Sequence, residues 1–432
     1  MIMSLKIFLV TALLSGIVTS YKIGSTQRTF FPKISDEWIT KSTTKKVMAS
    51  VIAAFTLSGS MNVIPASADQ RLNAASAGGT RVNSDPESLL RYGLPIKSKE
   101  ARDLQKQVEL IKADLLSRRL AFAKNDLQNV KKSITQNGEK IVQAMPANHL
   151  TAGQESLQRF KDKMGPVENA ISQASSKGTG SQQERDLFDA AFKSQLALAR
   201  ELSTFEELLV PDDFKREIPE AYRNMPALQG RAEVDMVIVR PGGEKFDVEG
   251  KLYDQVDLKM ILDGYNAPIT AGNFVDLVKK GFYDNKPVTR SDGFVVQAGD
   301  ADPAGTVHGY IPPGAKEERI VPLEIALKDD PEILYDITSE DDGRGAIAVV
   351  LPFQAYGAMG SARSEYEANS ASSQFFWLLF DSDLTPAGKN MLDGRYACFG
   401  YTVENSDLLK DVREGDMIKS AKVVKGLDKL VN

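Results

Sequence analysis

Cysteine and histidine are nearly absent from this chain: 432 residues hold one of the first and two of the second. With Cys398 alone no intramolecular disulfide can form, and His149 and His308 are too few to build a zinc site of the His/Cys type. Cys398 lies in the apolar run Tyr396-Ala-Cys-Phe-Gly400, the setting of a buried, inert thiol rather than a nucleophile. A hydrophobic fraction of 42% with 26% charged residues excludes collagen-like and wholly disordered chains. The length exceeds the usual span of one core, which predicts two domains behind a leader.

Residues 1–68 read as sorting signals in series. Lys6 precedes a short apolar run over 7–14, and Val18-Thr-Ser20 offers small residues for cleavage, as in a signal peptide too short to span a bilayer. Residues 21–46 are basic and rich in Ser and Thr, with Asp36 and Glu37 their only acids, the composition of a transit peptide. Lys45-Lys46 opens a second apolar stretch over 47–64, which is interrupted by Ser58, Gly59, Ser60 and Asn62 and closed by Ala66-Ser-Ala68. That stretch reads as a second cleavable signal rather than a membrane anchor. Three signals in this order, with aromatic Tyr21 after the first cleavage site, resemble leaders of algae with plastids of secondary origin, such as diatoms. The resemblance implies delivery to the thylakoid lumen. The leader holds seven Lys/Arg and two Asp/Glu, so its removal leaves 46 basic and 56 acidic side chains, a net charge near −10. Such a charge argues against nucleic acid as a partner.

Residues 69–97 predict a flexible lead-in. From 98 to 210 the chain is rich in Gln, Lys, Glu, Ala and Leu, as helices require. Leu104, Val108, Ile111, Leu115 and Phe122 share one helical face, and Leu187, Ala191, Leu198, Leu202, Phe205 and Leu209 share another. Breaks at Asn137-Gly138, at Met145-Pro146 and over 175–181 leave room for two shorter helices between them, which predicts an antiparallel four-helix bundle. These stripes read as bundle core, and the bundle carries no catalytic constellation. Its implied work is contact with another protein.

Pro211, Pro219 and Pro226 mark a linker over 211–231. From 232 the pattern alternates, with Val234, Met236 and Ile238 in one phase and Val237 and Val239 in the other, which predicts a strand buried on both faces. Further strands are predicted within 247–262, over 288–297, 346–351, 373–380 and 395–403, and near 419–424. One amphipathic helix is predicted over 267–283, with Phe274, Leu277 and Val278 inward. Many short strands with few helices predict a closed β-barrel over 232–432.

Several motifs then stand in order: Ala267-Pro-Ile-Thr-Ala-Gly-Asn-Phe274, Val288-Thr-Arg290, Gly293-Phe-Val-Val-Gln-Ala-Gly-Asp300, Ala368-Asn369, Ser373-Gln-Phe-Phe376 and Leu392-Asp-Gly-Arg-Tyr396. Together, over about 232–430, they resemble the cyclophilin family of peptidyl-prolyl isomerases. The resemblance implies a closed antiparallel barrel with flanking helices, a catalytic Arg290, and no cofactor or metal. It implies a substrate site made by Phe294, Val295, Gln297, Ala368, Asn369, Gln374, Phe376, Met391, Leu392 and Tyr396. Val295 replaces the family's usual Met, Tyr396 its His, and Met391 the Trp of cyclosporin-binding members. The turn after Arg290 is one residue shorter than the family's.

An X-Pro bond resists rotation by about 18–20 kcal/mol because the nitrogen lone pair is delocalised into the carbonyl. A guanidinium beside an apolar slot can donate to that nitrogen as it pyramidalises, and it cannot lose its charge. Residues 301–345 are rich in Pro and acids, which predicts a solvated insertion. Bundle, barrel and leader together resemble the large thylakoid-lumen cyclophilins of plants and algae. That resemblance implies assembly and repair of photosystem II through its lumenal loops, a link to a thylakoid phosphatase, and a bundle docked on the barrel. The alternative is a catalytically weak or inactive scaffold or chaperone, which Met391, Val295 and the short turn keep open.

Overall fold

The computed structural model describes residues 83–176, 182–380 and 390–431. The predicted leader and the first part of the lead-in lie outside the described residues. Within the lead-in, α1 (Pro86–Gly93) is a helix, with Pro in its first turn and Glu87 beside it. The expectation of flexibility is therefore corrected over these residues: Leu89, Leu90 and Arg91 are all buried.

Four long helices follow: α2 (Lys99–Leu116), α3 (Leu120–Gln143), α4 (Leu150–Ser175) and α5 (Gln182–Glu207). Each packs on the next and α5 returns to α2. Leu104, Ile111, Val130, Phe160, Leu202 and Phe205 are among the side chains of their shared core. Ser98 starts α2 by accepting a hydrogen bond from the Ala101 amide. The first break falls elsewhere than expected, at residues 117–119, where Arg118 adopts φ 54°. Phe122 accordingly belongs to α3 and is exposed. Gly138 stays inside α3, where a Cβ would come within 3.0 Å of Leu157 Cδ1, so a small residue lets two helices approach. Among the described residues no helix is long and apolar enough to cross a membrane.

The C-terminal part is the antiparallel barrel that the pattern predicts. Its strands close in the order β10 (Ala358–Ser361), β11 (Phe375–Leu378), β7 (Val295–Ala298), β6 (Lys286–Ser291), β13 (Met417–Lys425), β2 (Arg231–Val239), β5 (Val256–Asp263) and β12 (Cys398–Glu404). Three two-stranded ribbons flank it: β1 (Ala227–Leu228) with β14 (Leu430–Val431), β3 (Phe246–Val248) with β4 (Lys251–Tyr253), and β8 (Glu324–Ala326) with β9 (Ile333–Tyr335). In β2, Val234, Met236 and Ile238 are buried while Val237 and Val239 are half-buried. The expectation of two buried faces gives way because a barrel has one interior. The expected strand over 288–297 is two strands, β6 and β7, joined at Asp292-Gly293. Residues 346–351 make a single bridge, Leu327 with Val349, since the eight-strand circuit closes without them.

Helix α6 (Pro268–Lys279) covers one opening and sends Phe274, Leu277 and Val278 into the barrel core with Tyr283, Phe375 and Trp377. The insertion is in part solvated as expected, with 302–306, 313–317 and 340–343 exposed, but its stretch 321–327 is buried in this packing. Glu324 of β8, fully buried, accepts hydrogen bonds from the Ile269 and Thr270 amides at 3.0 and 2.7 Å, from the Thr270 hydroxyl, and from Tyr335. A carboxylate supplied from the insertion thus satisfies the N-terminal donors of α6.

Candidate active site on the outer face of the barrel

Side chains along a strand alternate between faces, so the inward residues define the outward ones. On β11, Phe375 and Trp377 enter the barrel core, and Phe376 and Leu378 face outward. On β7, Val296 and Ala298 point in, which leaves Val295 and Gln297 outside. Arg290 reaches that outer face through a β-bulge. Val288 opposes inward Ala298, the register slips between Val288 and Arg290, and Arg290 then opposes outward Gln297. Without the slip, Arg290 would share the inward side of Val288; the bulge re-aims it.

Beside this polar edge runs an apolar, aromatic wall. Phe376 meets Tyr396 edge-on at 5.9 Å and stacks on Phe353 at 5.7 Å between ring centroids. Phe294 packs on Phe380 at 5.3 Å. Leu392, Phe294, Tyr396 and Ala362 are the half-buried margin of the same cluster, which contains buried Val295 and Phe376. Gly360 of β10 lies opposite Phe376, and a Cβ there would sit 2.2 Å from the ring, so only glycine lets this ring lie across β10. Gln297 Nε2 donates to Gln374 Oε1 at 2.8 Å, which joins the polar edge to the wall.

Arg290 is 54% exposed and is held by Asp292, with Nε donating to Oδ2 at 2.7 Å and Nη2 lying 2.5 Å from the same oxygen. The other carboxylate oxygen accepts the amides of Phe294 and Val295, each at 3.0 Å, and so builds the short turn. Partial burial would push the Asp292 carboxyl up. The hydrogen bonds from Val295, Phe294 and Arg290 outweigh it and hold the group below the usual carboxylate range. The Asp292 carboxylate thus faces the guanidinium of Arg290 as its ion-pair partner.

Not every residue of the expected site is brought together. Ala368 packs with Leu323, Ile325 and Leu334, away from Phe376. Asn369 is committed to the insertion: its Oδ1 accepts the Leu323 amide at 2.9 Å and its Nδ2 donates to Asp336 at 2.8 Å. Met391 is 67% exposed and outside the aromatic cluster. The place expected for Ala368-Asn369 is taken by Ala362-Arg363. The Ala362 amide donates to the Gln374 carbonyl at 3.0 Å, and the Arg363 guanidinium lies 4.8 Å from the Tyr396 ring centroid. Matching the dipeptide by identity misses this pair, which only the pairing of β10 with β11 brings beside Gln374. Asp292 and Phe380 were legible only as turn chemistry and as an aromatic beyond the wall.

Cys398 is buried and its thiol is pushed up to about 12 by burial, which keeps it protonated and inert. A separate cavity of about 580 Å³ lies between the linker and the barrel, lined by Phe214, Arg216, Met225, Leu228 and Tyr265 among others. It shares no lining residue with the face that carries Arg290.

A closed antiparallel barrel with an outward arginine beside an aromatic wall is the arrangement expected of the prolyl-isomerase class. Residues 246–431 match the model of the cyclophilin type peptidyl-prolyl cis-trans isomerase family, and residues 85–190 match that of the PsbQ-like domain of CYP38-like peptidyl-prolyl cis-trans isomerases. The chloroplastic peptidyl-prolyl cis-trans isomerase CYP38 of Arabidopsis thaliana is 40% identical over 351 residues, 81% of this chain and 75% of that one. A Synechocystis protein, named as a thylakoid lumen peptidyl-prolyl cis-trans isomerase, is 39% identical over 81% of this chain and 84% of its own. Among solved structures, a cyclophilin-type isomerase of Cryptosporidium parvum is 20% identical, covers 44% of this chain and 99% of its own, and has a TM-score of 0.28. The chain belongs to the cyclophilin-type peptidyl-prolyl cis-trans isomerases, in the lumenal group whose N-terminal domain is PsbQ-like, and its place is the thylakoid lumen of a plastid.

Proposed function

We propose that this lumenal folding catalyst acts on X-Pro bonds in lumenal loops of photosystem II proteins, with Arg290 as its catalytic residue. The observation that carries the reading is the bulge that sets Arg290 opposite Gln297 at the edge of the aromatic slot. The proline ring enters between Phe294, Val295, Phe376 and Leu392, with Tyr396 closing the wall. Gln297 and Gln374 hold the peptide backbone by hydrogen bonds. Asn369 and Ala368 have no part in it, and Met391 serves only as an exposed rim contact. As the prolyl nitrogen pyramidalises, Arg290 donates to its localised lone pair, and the apolar wall keeps water from competing for that bond.

A second reading has the same slot as a binding platform, part of a scaffold that assists photosystem assembly or regulates a thylakoid phosphatase. The Asp292 carboxylate favours it, because it offsets the charge that catalysis uses. Peptides from proline-containing lumenal loops, titrated into the isotope-labelled protein, separate the two. Binding with accelerated cis/trans exchange supports the catalyst, binding without acceleration supports the platform, and no binding contradicts both.

A further inference from the structure

Arg363 stands at the other end of the slot from Arg290. Strands β6, β7, β11 and β10 lie side by side, so the segment bearing Arg363 is three strand spacings from Arg290, about 14 Å. Its guanidinium covers the Tyr396 ring, which in turn meets Phe376. Nε donates to the Arg395 carbonyl at 2.8 Å, and Nη1 donates to the carbonyls of Ser364 and Glu367 at 2.6 and 3.4 Å. Each acceptor is a neutral backbone oxygen, and among the described residues no carboxylate completes an ion pair with Arg363.

Other arginines of the barrel domain differ. Arg290 is paired with Asp292 at 2.5 Å, Arg395 with Glu340 at 2.6 Å, and Arg344 with both Asp330 and Asp342. Arg363 thus lies on an aromatic face with no contact ion pair among the described residues and with Nη2 outside these bonds. Burial lowers its basicity against the opposing pull of Tyr396, Asp341 and Glu365, two carboxylates that act on it without a contact ion pair.

We infer that Arg363 selects substrates carrying Asp or Glu within three residues of the isomerised proline. The inference rests on the slot being the peptide site proposed above. The centroid separations from Phe376 to Tyr396 and from there to the guanidinium bound the reach at about 11 Å, which is three residues of extended chain. A carboxylate there accepts a charge-assisted hydrogen bond from Nη2 without displacing the three carbonyls. A lysine at the same place meets the like charge. The expected gain is roughly tenfold in affinity for an acidic over a neutral side chain, which corresponds to about 1.4 kcal/mol.

The test uses the protein from residue 69 onward and single-proline peptides with Glu, Gln or Lys at each of three positions on either side of the proline. Affinity is read by NMR titration, and turnover by exchange spectroscopy on the same samples. At one or more positions Glu binds about tenfold tighter than Gln, and Lys more weakly than Gln, with the difference in KM rather than kcat. Arg363→Gln removes the preference and Arg363→Lys retains part of it, while 0.5 M salt shrinks it. The thermal midpoint of each variant controls for folding. Equal affinity of Glu, Gln and Lys at every position, or a Glu preference that survives Arg363→Gln, overturns the inference. Charge-selective binding with no acceleration for any peptide leaves the inference standing and defeats the catalytic reading alone. Absence of binding by all peptides overturns both.

Discussion

Two arginine clusters in this molecule use the same side chains for opposite ends. At the junction of bundle and barrel, Arg91 is buried, with Glu109 at 3.2 Å, Ser203 at 3.1 Å, and Asp85 and Glu87 within 4.0 Å. Close by, Arg231 is held by Asp263 at 2.7 Å and also donates to the Leu90 carbonyl, while Asn266 donates to the Gly93 carbonyl at 2.8 Å. These arginines fasten α1 between the two domains. In the slot, Arg290 is exposed and pairs with one carboxylate, and Arg363, half-buried, makes no contact ion pair among the described residues. Burial with several partners makes a fastener, whereas exposure with few partners leaves charge for a substrate.

Breaking the fastener has the largest expected effect. Arg91→Ala strands Glu109 and Glu87 in a buried site and lowers unfolding stability by about 3–5 kcal/mol, read by denaturant titration. A loss below about 1 kcal/mol would equate this arginine with a surface one.

Glu206 sharpens the comparison through pH. It is fully buried, neither carboxylate oxygen has a hydrogen-bond partner among the described residues, and burial raises its pKa to about 8 against the pull of Arg102 and Arg91. The folded protein therefore keeps this proton up to about pH 8, whereas the unfolded chain gives it up near pH 4–5. Stability contributed by the protonated group is full below the unfolded value and falls as pH rises towards 8. Glu206→Gln removes a slope worth on the order of 2–4 kcal/mol across that window. Thermal midpoints of both proteins from pH 5 to 8 check it, and parallel curves would contradict it.

The smallest effect lies in the slot. Asp292→Asn keeps the oxygen that accepts the Phe294 and Val295 amides but removes the charge facing Arg290. The exchange rate rises two- to tenfold, which is roughly 0.5–1.5 kcal/mol for an exposed pair. A fall in rate with an unchanged thermal midpoint would make Asp292 an orienting partner instead of an attenuator.

What the sequence disclosed follows the same division. Hydrophobic period revealed α2 and α5, and alternation revealed strands such as β2, because both record burial residue by residue. Helices α3 and α4 were placed only by breaks and, at 24 and 26 residues, are not the shorter helices expected. Motif order pointed to Arg290, Phe294, Gln297 and Phe376, and the structure sets them on the neighbouring strands β6, β7 and β11 and the turn between the first two. Helix α1 was hidden because its Leu89, Leu90 and Arg91 are buried by partners far along the chain. The buried stretch of the insertion was not legible because the role of Glu324 depends on α6, some fifty residues earlier. Ala362-Arg363 escaped because it lacks the Asn of the expected dipeptide, whose letters recur six residues later in the loop between β10 and β11. Long-range pairing, unlike period, leaves no local trace.

The most direct measurement of the central claim is the cis/trans exchange of a short X-Pro peptide by NMR, with the protein from residue 69 onward and its Arg290→Ala variant. Acceleration by the first, reduced about 10²–10³-fold in the variant at an unchanged thermal midpoint, is the expected result. Equal rates with both folded proteins would contradict a catalytic Arg290.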